Sequence, residues 1–380
     1  FIQRLKTIES RKYFETFFLI STLLYFVCSL SSNRSFVESK SRLEGKRVLM
    51  LLLCNYYLTY RCNAYCEFCH FGDHTNFKQT PFAKLSDFKS NVSQIAKLGV
   101  KFLDLTGGEP LLHKDIVEMV TFAKDLKMQT SITTNGLLYP KFAKGLAGKV
   151  NLLHFSLDSP DEEEHNKIRG VKCFGAVLSG LELAKSLGEF PDILFTVTND
   201  TYKKLPKIYE LALRMGLILI VNPVFSYFGN PGLNNDALDF IENFVEGKSS
   251  IYINDAYIKL RRNGGNQISK PTCKAASRVI VISPENEIIL PCYHFASEKI
   301  LIDKPISEIR KSERLKYFKA NEGRFDFCQG CTVNCYFEPS FAFPTNVYGL
   351  LSLNSKFKYS FQKLIKQKFQ KKFFKEKKEN

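Results

Sequence analysis

The sequence lacks a hydrophobic run long enough to cross a membrane as a helix. The uncharged stretch from Phe17 to Leu30 has only fourteen residues, whereas a spanning helix needs about twenty. No cleavage site of the Ala-x-Ala kind follows it, which argues against a signal peptide. Within the basic and apolar N-terminal segment, residues 1–47, this stretch is therefore interpreted as a core or interface helix, or as a short or in-plane membrane anchor.

Cysteine is too sparse for a small scaffold stapled by disulfides. Eleven cysteines are dispersed over 380 residues, and an odd number cannot all pair with one another. We expect reduced thiols that are available to bind metal, and hence a cytoplasmic location. Cys28, Cys54 and Cys173 are interpreted as ordinary buried or segment residues.

The middle of the chain lacks the basic excess that a nucleic-acid enzyme would carry on its working face. Of the net charge of +16, residues 356–380 hold +8 and residues 1–47 hold +5, which leaves +3 for residues 48–355. Nucleic acid is therefore an improbable partner, and the basicity belongs to the two ends of the chain.

The C-terminal tail, residues 346–380, has the pattern of a basic amphipathic helix. Its apolar residues recur at spacings of three or four with lysines between them, and they are Phe361, Leu364, Ile365, Phe369 and Phe373. Such a helix is suited to an anionic membrane surface, and a solvated lysine-rich tail is the alternative. The expected location is thus the cytoplasmic face of a membrane.

The middle of the chain alternates β-rich apolar runs with helical stretches, which predicts a parallel sheet with right-handed crossovers. The predicted strands cover 57–61, 101–106, 128–133, 150–158, 192–198 and 217–222. The predicted helices cover 84–98, 114–127, 139–147, 161–187 and 203–215. In folds of this class, chemistry takes place at the C-terminal ends of the strands.

Three cysteines in C-x3-C-x2-C spacing follow the first predicted strand: Cys62, Cys66 and Cys69. Three thiolates on one loop can bind three irons of a [4Fe–4S] cluster and leave the fourth iron open, because no fourth cysteine lies nearby. Zinc, with His70 or His74 as a further ligand, is the structural alternative.

This triplet, followed by Gly107-Gly108-Glu109-Pro110 after the second strand, resembles the radical S-adenosylmethionine (SAM) superfamily. The resemblance covers roughly residues 54–225 and implies a partial (β/α)6 TIM-type barrel, an α/β fold, within residues 48–262. It also implies that the open iron binds SAM and that an electron from the cluster cleaves SAM to a 5′-deoxyadenosyl radical.

The resemblance assigns further contacts with SAM. Gly107 and Gly108 would let the backbone approach its amino group, and Arg169 would pair with its carboxylate. The remaining candidates for cofactor binding are Glu109, Thr134 and Ser156. For Thr134, Ser156 and Arg169, a cap or surface residue is the alternative.

A second group of cysteines follows a linker at residues 263–266: Cys273, Cys292, Cys328, Cys331 and Cys335. Residues 279–292 are typical of a hairpin with its turn at 284–286, and the whole resembles the auxiliary-cluster domains called SPASM and twitch. The resemblance implies a small Cys-rich α+β domain at residues 263–345 with one [4Fe–4S] cluster. Its ligands would be Cys273, Cys292 and Cys328, with Cys331 or Cys335 as the fourth. A zinc ribbon is the alternative.

The general base found in some SPASM relatives does not carry over to this sequence. There an Asp directly follows the cysteine of the Pro-Cys pair, whereas here Cys292 is followed by Tyr293 and His294, either of which can move a proton.

The combined motifs predict a radical SAM enzyme that abstracts hydrogen from a peptide or a lipid-linked substrate. An external reductant such as ferredoxin or flavodoxin would supply the electron. The alternative is a non-catalytic iron–sulfur protein that carries electrons or serves as a scaffold. Such a protein would need the cysteine triplet but neither the Gly107-Gly108-Glu109 motif nor Arg169.

Overall fold

The computed structural model describes residues 51–69, 71, 79–227 and 230–379, with helix α13 given as backbone alone from residue 368. The apolar stretch Phe17–Leu30, together with His70 and His74, lies outside the described residues. No helix among the described residues is long and apolar enough to cross a membrane.

Ten strands form one sheet in the order β10-β9-β8-β1-β2-β3-β4-β5-β6-β7. They are β1 (Leu53–Thr59), β2 (Phe102–Gly107), β3 (Gln129–Thr134), β4 (Leu152–Ser156), β5 (Asp192–Val197), β6 (Ile218–Pro223), β7 (Ile251–Tyr252), β8 (Val279–Ile282), β9 (Glu287–Leu290) and β10 (Glu298–Leu301). Strands β1 to β7 are parallel, and β8 also pairs parallel to β1. The predicted partial barrel with a Cys-rich C-terminal region is confirmed.

Thirteen α-helices are seen in the described part of the chain. They are α1 (Leu85–Lys97), α2 (Ile116–Asp125), α3 (Tyr139–Leu146), α4 (Glu162–Arg169), α5 (Phe174–Ser186), α6 (Leu205–Arg214), α7 (Asn235–Val245), α8 (Asp255–Arg262), α9 (Ala275–Arg278), α10 (Ile306–Ile309), α11 (Glu313–Ala320), α12 (Asn334–Ser340) and α13 (Val347–Glu379). The single helix predicted over 161–187 is wrong. Gly170 ends α4 in a left-handed conformation, φ 62°, and α5 begins four residues later.

Successive side chains of β2 alternate between the apolar core and the interior of the barrel. In β2, Leu103 and Leu105 are fully buried in the main core, whereas Asp104 and Thr106 between them keep partial exposure. Because successive side chains point to opposite faces of a strand, the row that includes Asp104 faces the inside of the barrel. The interior of this open barrel is therefore polar at β2.

The C-terminal region adds a hairpin to the barrel sheet. Strands β8 and β9 are antiparallel, and β10 pairs with β9. Asn286 adopts a positive φ of 65° in the turn between β8 and β9, as the predicted turn at 284–286 requires. A second apolar core, which includes Tyr57, Tyr336 and Phe337, joins β1 to α12.

Candidate functional site

The loop that follows β1 carries the cysteine triplet and is fixed to the end of α4. The backbone N–H of Tyr65 donates to the carbonyl of Arg169 at 2.8 Å, and that of Glu67 donates to Ile168 at 3.1 Å. The N–H of Cys69 donates to the carbonyl of Cys66 at 3.0 Å. These bonds hold the three thiols, all partly exposed, at the carboxyl end of the barrel.

The three thiols are close enough to influence one another electrostatically. Burial raises the pKa of Cys62 to about 12, and the charges of Glu109, Cys66 and Cys69 add to the effect. Three sulfur donors on one loop suit an iron–sulfur cluster, which takes a thiolate on each of several irons. Among the described residues, no group of three or more His, Cys, Asp or Glu side chains is placed to hold a metal ion.

Gly107 and Gly108 lie against the backbone of the end of β1. A Cβ atom on Gly107, whose φ is 141°, would stand 2.1 Å from the carbonyl oxygen of Thr59, and one on Gly108 would stand 2.2 Å from that of Arg61. The N–H groups of Gly108 and Glu109 donate to these same two oxygens at 3.0 and 2.9 Å. The glycines are thus required by the junction of β1 with β2. Their predicted contact with SAM stays a prediction.

The Glu109 side chain ties the end of β2 to the end of β3. Its carboxylate accepts hydrogen bonds from the N–H of Leu111 at 3.0 Å, the N–H of Asn135 at 2.8 Å and the hydroxyl of Thr134 at 2.9 Å. Burial raises its pKa to about 7, although these bonds oppose the shift. Glu109 and Thr134 therefore stabilise the rim of the site together. Ser156, another predicted SAM contact, is buried at the end of β4.

Arg169 lies between an acidic residue and the cysteine loop. Its Nε is 2.6 Å from Oδ2 of Asp158, and its Nη1 donates to Sγ of Cys66 at 3.5 Å. Asp158 is fully buried, and its Oδ1 accepts a hydrogen bond from the N–H of Thr196 at 2.9 Å. The arrangement directs a guanidinium at the candidate cluster site. The role of Asp158 is not evident from sequence, because β5 supplies its second partner.

Four of the five C-terminal cysteines lie within range of one another's charge. The pKa of Cys273 is raised by burial and by the charges of Cys331, Cys292 and Cys328. Burial raises the pKa of Cys292 to about 12, with contributions from Cys331 and Cys328. The donor set is again all sulfur, as an iron–sulfur cluster requires.

Cys335 has different neighbours. Desolvation by the surrounding protein raises its pKa to about 12 although the residue is exposed, and the charge of Asp104 adds to the effect. The charge of Asp104, which belongs to the inward row of β2, therefore acts on Cys335. The charges that raise the pKa values of Cys273 and Cys292 come instead from Cys331, Cys292 and Cys328.

Asn266, predicted to belong to a linker, is fully buried and connects the loops that carry these cysteines. Its Oδ1 accepts hydrogen bonds from the N–H groups of Thr272 and Cys273, and its Nδ2 donates to the carbonyl of Cys328 at 3.1 Å. Its N–H donates to the carbonyl of Cys331 at 2.9 Å. Interpreting residues 263–266 as a plain linker is therefore wrong for Asn266, and nothing in its local sequence signals these distant partners.

Aromatic rings lie between the two groups of cysteines. Tyr293, which follows Cys292, stacks on Tyr57 with ring centroids 4.4 Å apart and on Phe71 at 5.5 Å. The pKa of Tyr293 is raised by burial and then by the charge of Cys69. This proximity to Cys69 places Tyr293 between the two sites. A raised pKa makes the Tyr293 hydroxyl unsuited to act as a base near neutral pH.

Asp104 is a carboxylate of the barrel interior that the sequence analysis did not identify. Its Oδ1 accepts a hydrogen bond from the hydroxyl of Ser131 at 2.5 Å. Burial raises its pKa to about 6. A polar residue between two leucines in β2 was the available signal, since alternation assigns it to the inward face.

Comparison with known proteins finds a match to one family over part of the chain. Residues 56–212 match the model of the radical SAM superfamily. Two relatives are a probable GTP 3′,8-cyclase of Methanococcus maripaludis, 30% identical, and an AdoMet-dependent heme synthase of Methanosarcina barkeri, 31% identical. These matches cover 43% and 42% of this chain and 55% and 47% of the relatives. The chain thus spans about half the length of the curated relatives it matches.

Two solved structures share the fold over a longer part of the chain. Streptococcus suis SuiB bound to the precursor peptide SuiA has a TM-score of 0.61 at 17% identity, covering 77% of this chain and 72% of that one. Native anSMEcpe with bound AdoMet has a TM-score of 0.56 at 19% identity, covering 83% and 98%. At these identities the likeness concerns the fold.

Proposed function

We propose that the chain is a radical SAM enzyme with one catalytic and one auxiliary [4Fe–4S] cluster, and the match of residues 56–212 to the radical SAM superfamily model supports this. One observation carries the proposal. The loop of Cys62, Cys66 and Cys69 is fixed between the Gly107-Gly108-Glu109 turn, bonded to Thr59 and Arg61, and the guanidinium of Arg169. Such a cluster would supply the electron for the reductive cleavage of bound SAM to a 5′-deoxyadenosyl radical.

The chain's own residues are proposed to hold and orient the cofactors. Cys62, Cys66 and Cys69 would bind three irons. Arg169, anchored by Asp158, would stabilise the negative charge of the thiolates or of the SAM carboxylate. The stacked rings of Tyr57, Phe71 and Tyr293 would keep water from the space between the two clusters.

The substrate is proposed to be a peptide. The fold is shared with SuiB, whose structure holds a precursor peptide, and with anSMEcpe, solved with a Cp18Cys peptide. A lipid-linked substrate is the second candidate, favoured by the apolar and basic surface of α13. We place the enzyme at the cytoplasmic face of an anionic membrane, with ferredoxin or flavodoxin as reductant.

One assay distinguishes the proposed enzyme from the alternative, a non-catalytic electron carrier. Reconstituted protein is reduced with dithionite in the presence of SAM, and 5′-deoxyadenosine is measured by chromatography. We expect its release from the wild type and none from the Cys62→Ala/Cys66→Ala/Cys69→Ala variant. Intact clusters without 5′-deoxyadenosine would instead favour the electron carrier.

The auxiliary site is tested in the same triple variant by iron and sulfide analysis. About four irons should remain if the second site is a [4Fe–4S] cluster, whereas zinc and no iron would indicate a zinc ribbon. We propose Cys331 as the fourth ligand, so adding Cys331→Ser should remove this iron. Adding Cys335→Ser is the matched control and should leave it in place.

A further inference from the structure

Helix α13 is attached to the rest of the protein largely by polar side chains. The hydroxyl of Tyr359 donates to Oδ2 of the buried Asp192 at 2.7 Å, and the Lys363 ammonium pairs with the same carboxylate. The hydroxyl of Ser352 accepts a hydrogen bond from Nδ2 of Asn254 at 3.0 Å. Near its start, Tyr348 and Leu351 pack against the second apolar core. Further along, polar contacts replace the apolar face that an ordinary surface helix turns to its core.

The outward face of α13 is consequently apolar. Leu350, Leu353, Phe357, Leu364 and Ile365 are 58%, 43%, 36%, 44% and 37% exposed, and they form what is termed here the apolar stripe. Their helical spacing places them on one face over a length of about 23 Å. With Val347, α13 holds six of the twelve exposed large hydrophobic residues in the described part of the chain. Such a concentration marks an interaction surface.

The charge of α13 identifies the chemistry of the partner. No Asp or Glu occurs between Glu338 and Glu376, whereas residues 356–380 contain ten lysines. An apolar stripe within a strongly basic segment complements a surface that is apolar inside and anionic at its boundary, which describes a bilayer of acidic lipids. Each lysine near such a surface contributes about 1 kcal/mol of attraction.

We infer that the apolar stripe of α13 lies in the plane of an anionic membrane. This inference rests on the proposed membrane location and is independent of the proposed chemistry. It revises the face expected from sequence. That face began at Phe361 and continued to Phe369 and Phe373, whereas the stripe begins at Leu350, eleven residues earlier.

Co-sedimentation of the full chain with phosphatidylcholine vesicles, with and without 30% phosphatidylserine, tests the inference. The Leu350→Ser/Leu364→Ser variant should bind the serine-containing vesicles at least about tenfold more weakly than the wild type. The matched control is Leu213→Ser/Leu301→Ser, which removes two leucines of similar exposure, 42% and 55%, on other elements. It should bind like the wild type. Circular dichroism checks that both variants are folded.

Three other results of the vesicle experiment would overturn the inference. If the stripe variant binds as well as the wild type, the inference fails and the membrane location survives. If the wild type binds no vesicles, both fail. Vesicle-independent self-association that the stripe variant abolishes would assign the stripe to a second copy of the chain and would also overturn the inference.

Discussion

At the scale of single residues, Asn266 stabilises the auxiliary cysteine site without being one of its proposed ligands. Its amide joins the loops of Cys273 and Cys328, and its backbone N–H donates to the carbonyl of Cys331. An Asn266→Ala substitution should therefore reduce the iron of the auxiliary site to less than half. Iron analysis in the Cys62→Ala/Cys66→Ala/Cys69→Ala background measures this loss. Asn263→Ala, which removes only an exposed hydrogen bond to Tyr348, should retain the iron.

His154 provides a pH-dependent prediction away from both cysteine groups. Burial, with a contribution from Lys363, lowers its pKa to about 4 against the attraction of Asp192. In the unfolded chain His154 becomes protonated near pH 6.5, whereas in the folded protein it stays neutral down to about pH 4. The free energy of unfolding therefore falls as pH decreases through this window, by about 2 kcal/mol between pH 7.5 and pH 5.

The His154→Asn variant should lose about 2 kcal/mol less than the wild type over the same pH interval. Urea unfolding at the two pH values measures the difference, and comparison with the wild type cancels the contributions of other groups. Equal losses in both proteins would show that His154 is not buried in its neutral form.

At the scale of elements, α13 depends on a buried ion pair. The Lys363 and Asp192 side chains are 8% and 0% exposed. Lys363→Met would leave a buried carboxylate without its cation and should destabilise the protein by about 3 kcal/mol. Adding Asp192→Asn should recover part of the loss in a double-mutant cycle. Lys356→Met, in the pair with Glu338 whose side chains are 33% and 36% exposed, is the control and should cost less than about 1 kcal/mol.

Local periodicity predicts elements whose stability is local. The strands β2 to β6 and the helices α1, α2, α3 and α6 were predicted within a few residues of their bounds. Strand β1 was predicted to start at Tyr57 and starts at Leu53. Strand β7 and helices α7 and α8 were not predicted. β7 has only two residues, and its pairing with β6 is non-local, so no periodic signal identifies it.

In the candidate site as well, local features could be predicted from sequence and long-range contacts could not. Spacing along the chain indicated Cys62, Cys66 and Cys69, because their arrangement is local. The partners of Arg169 and the inward position of Asp104 depend on contacts between strands that are distant in sequence. These contacts could not be obtained from spacing. The grouping of Cys331 with Cys273, Cys292 and Cys328 likewise required the fold.

At the scale of the whole molecule, Arg261 connects the barrel to the Cys-rich region. Its guanidinium donates to the carbonyls of Pro223 and Val224 at the end of β6 and to that of Thr332 beside Cys331. Arg261→Met should cost about 3 kcal/mol, because three carbonyls lose their donor. It should also alter the electron paramagnetic resonance signal of the auxiliary cluster. The neighbouring Arg262→Met, which removes the surface ion pairs with Asp239 and Glu242, should change neither.

Strand β8 has a consequence for attempts to isolate the catalytic part of this molecule. Its parallel pairing with β1 covers Leu53 to Tyr56, so a fragment ending at residue 262, which lacks β8 to β10, would leave β1 as an exposed edge strand. The uncovered amide and carbonyl groups of β1 would offer a template for other chains. Such a fragment should precipitate or form oligomers even though it contains every residue of the matched domain.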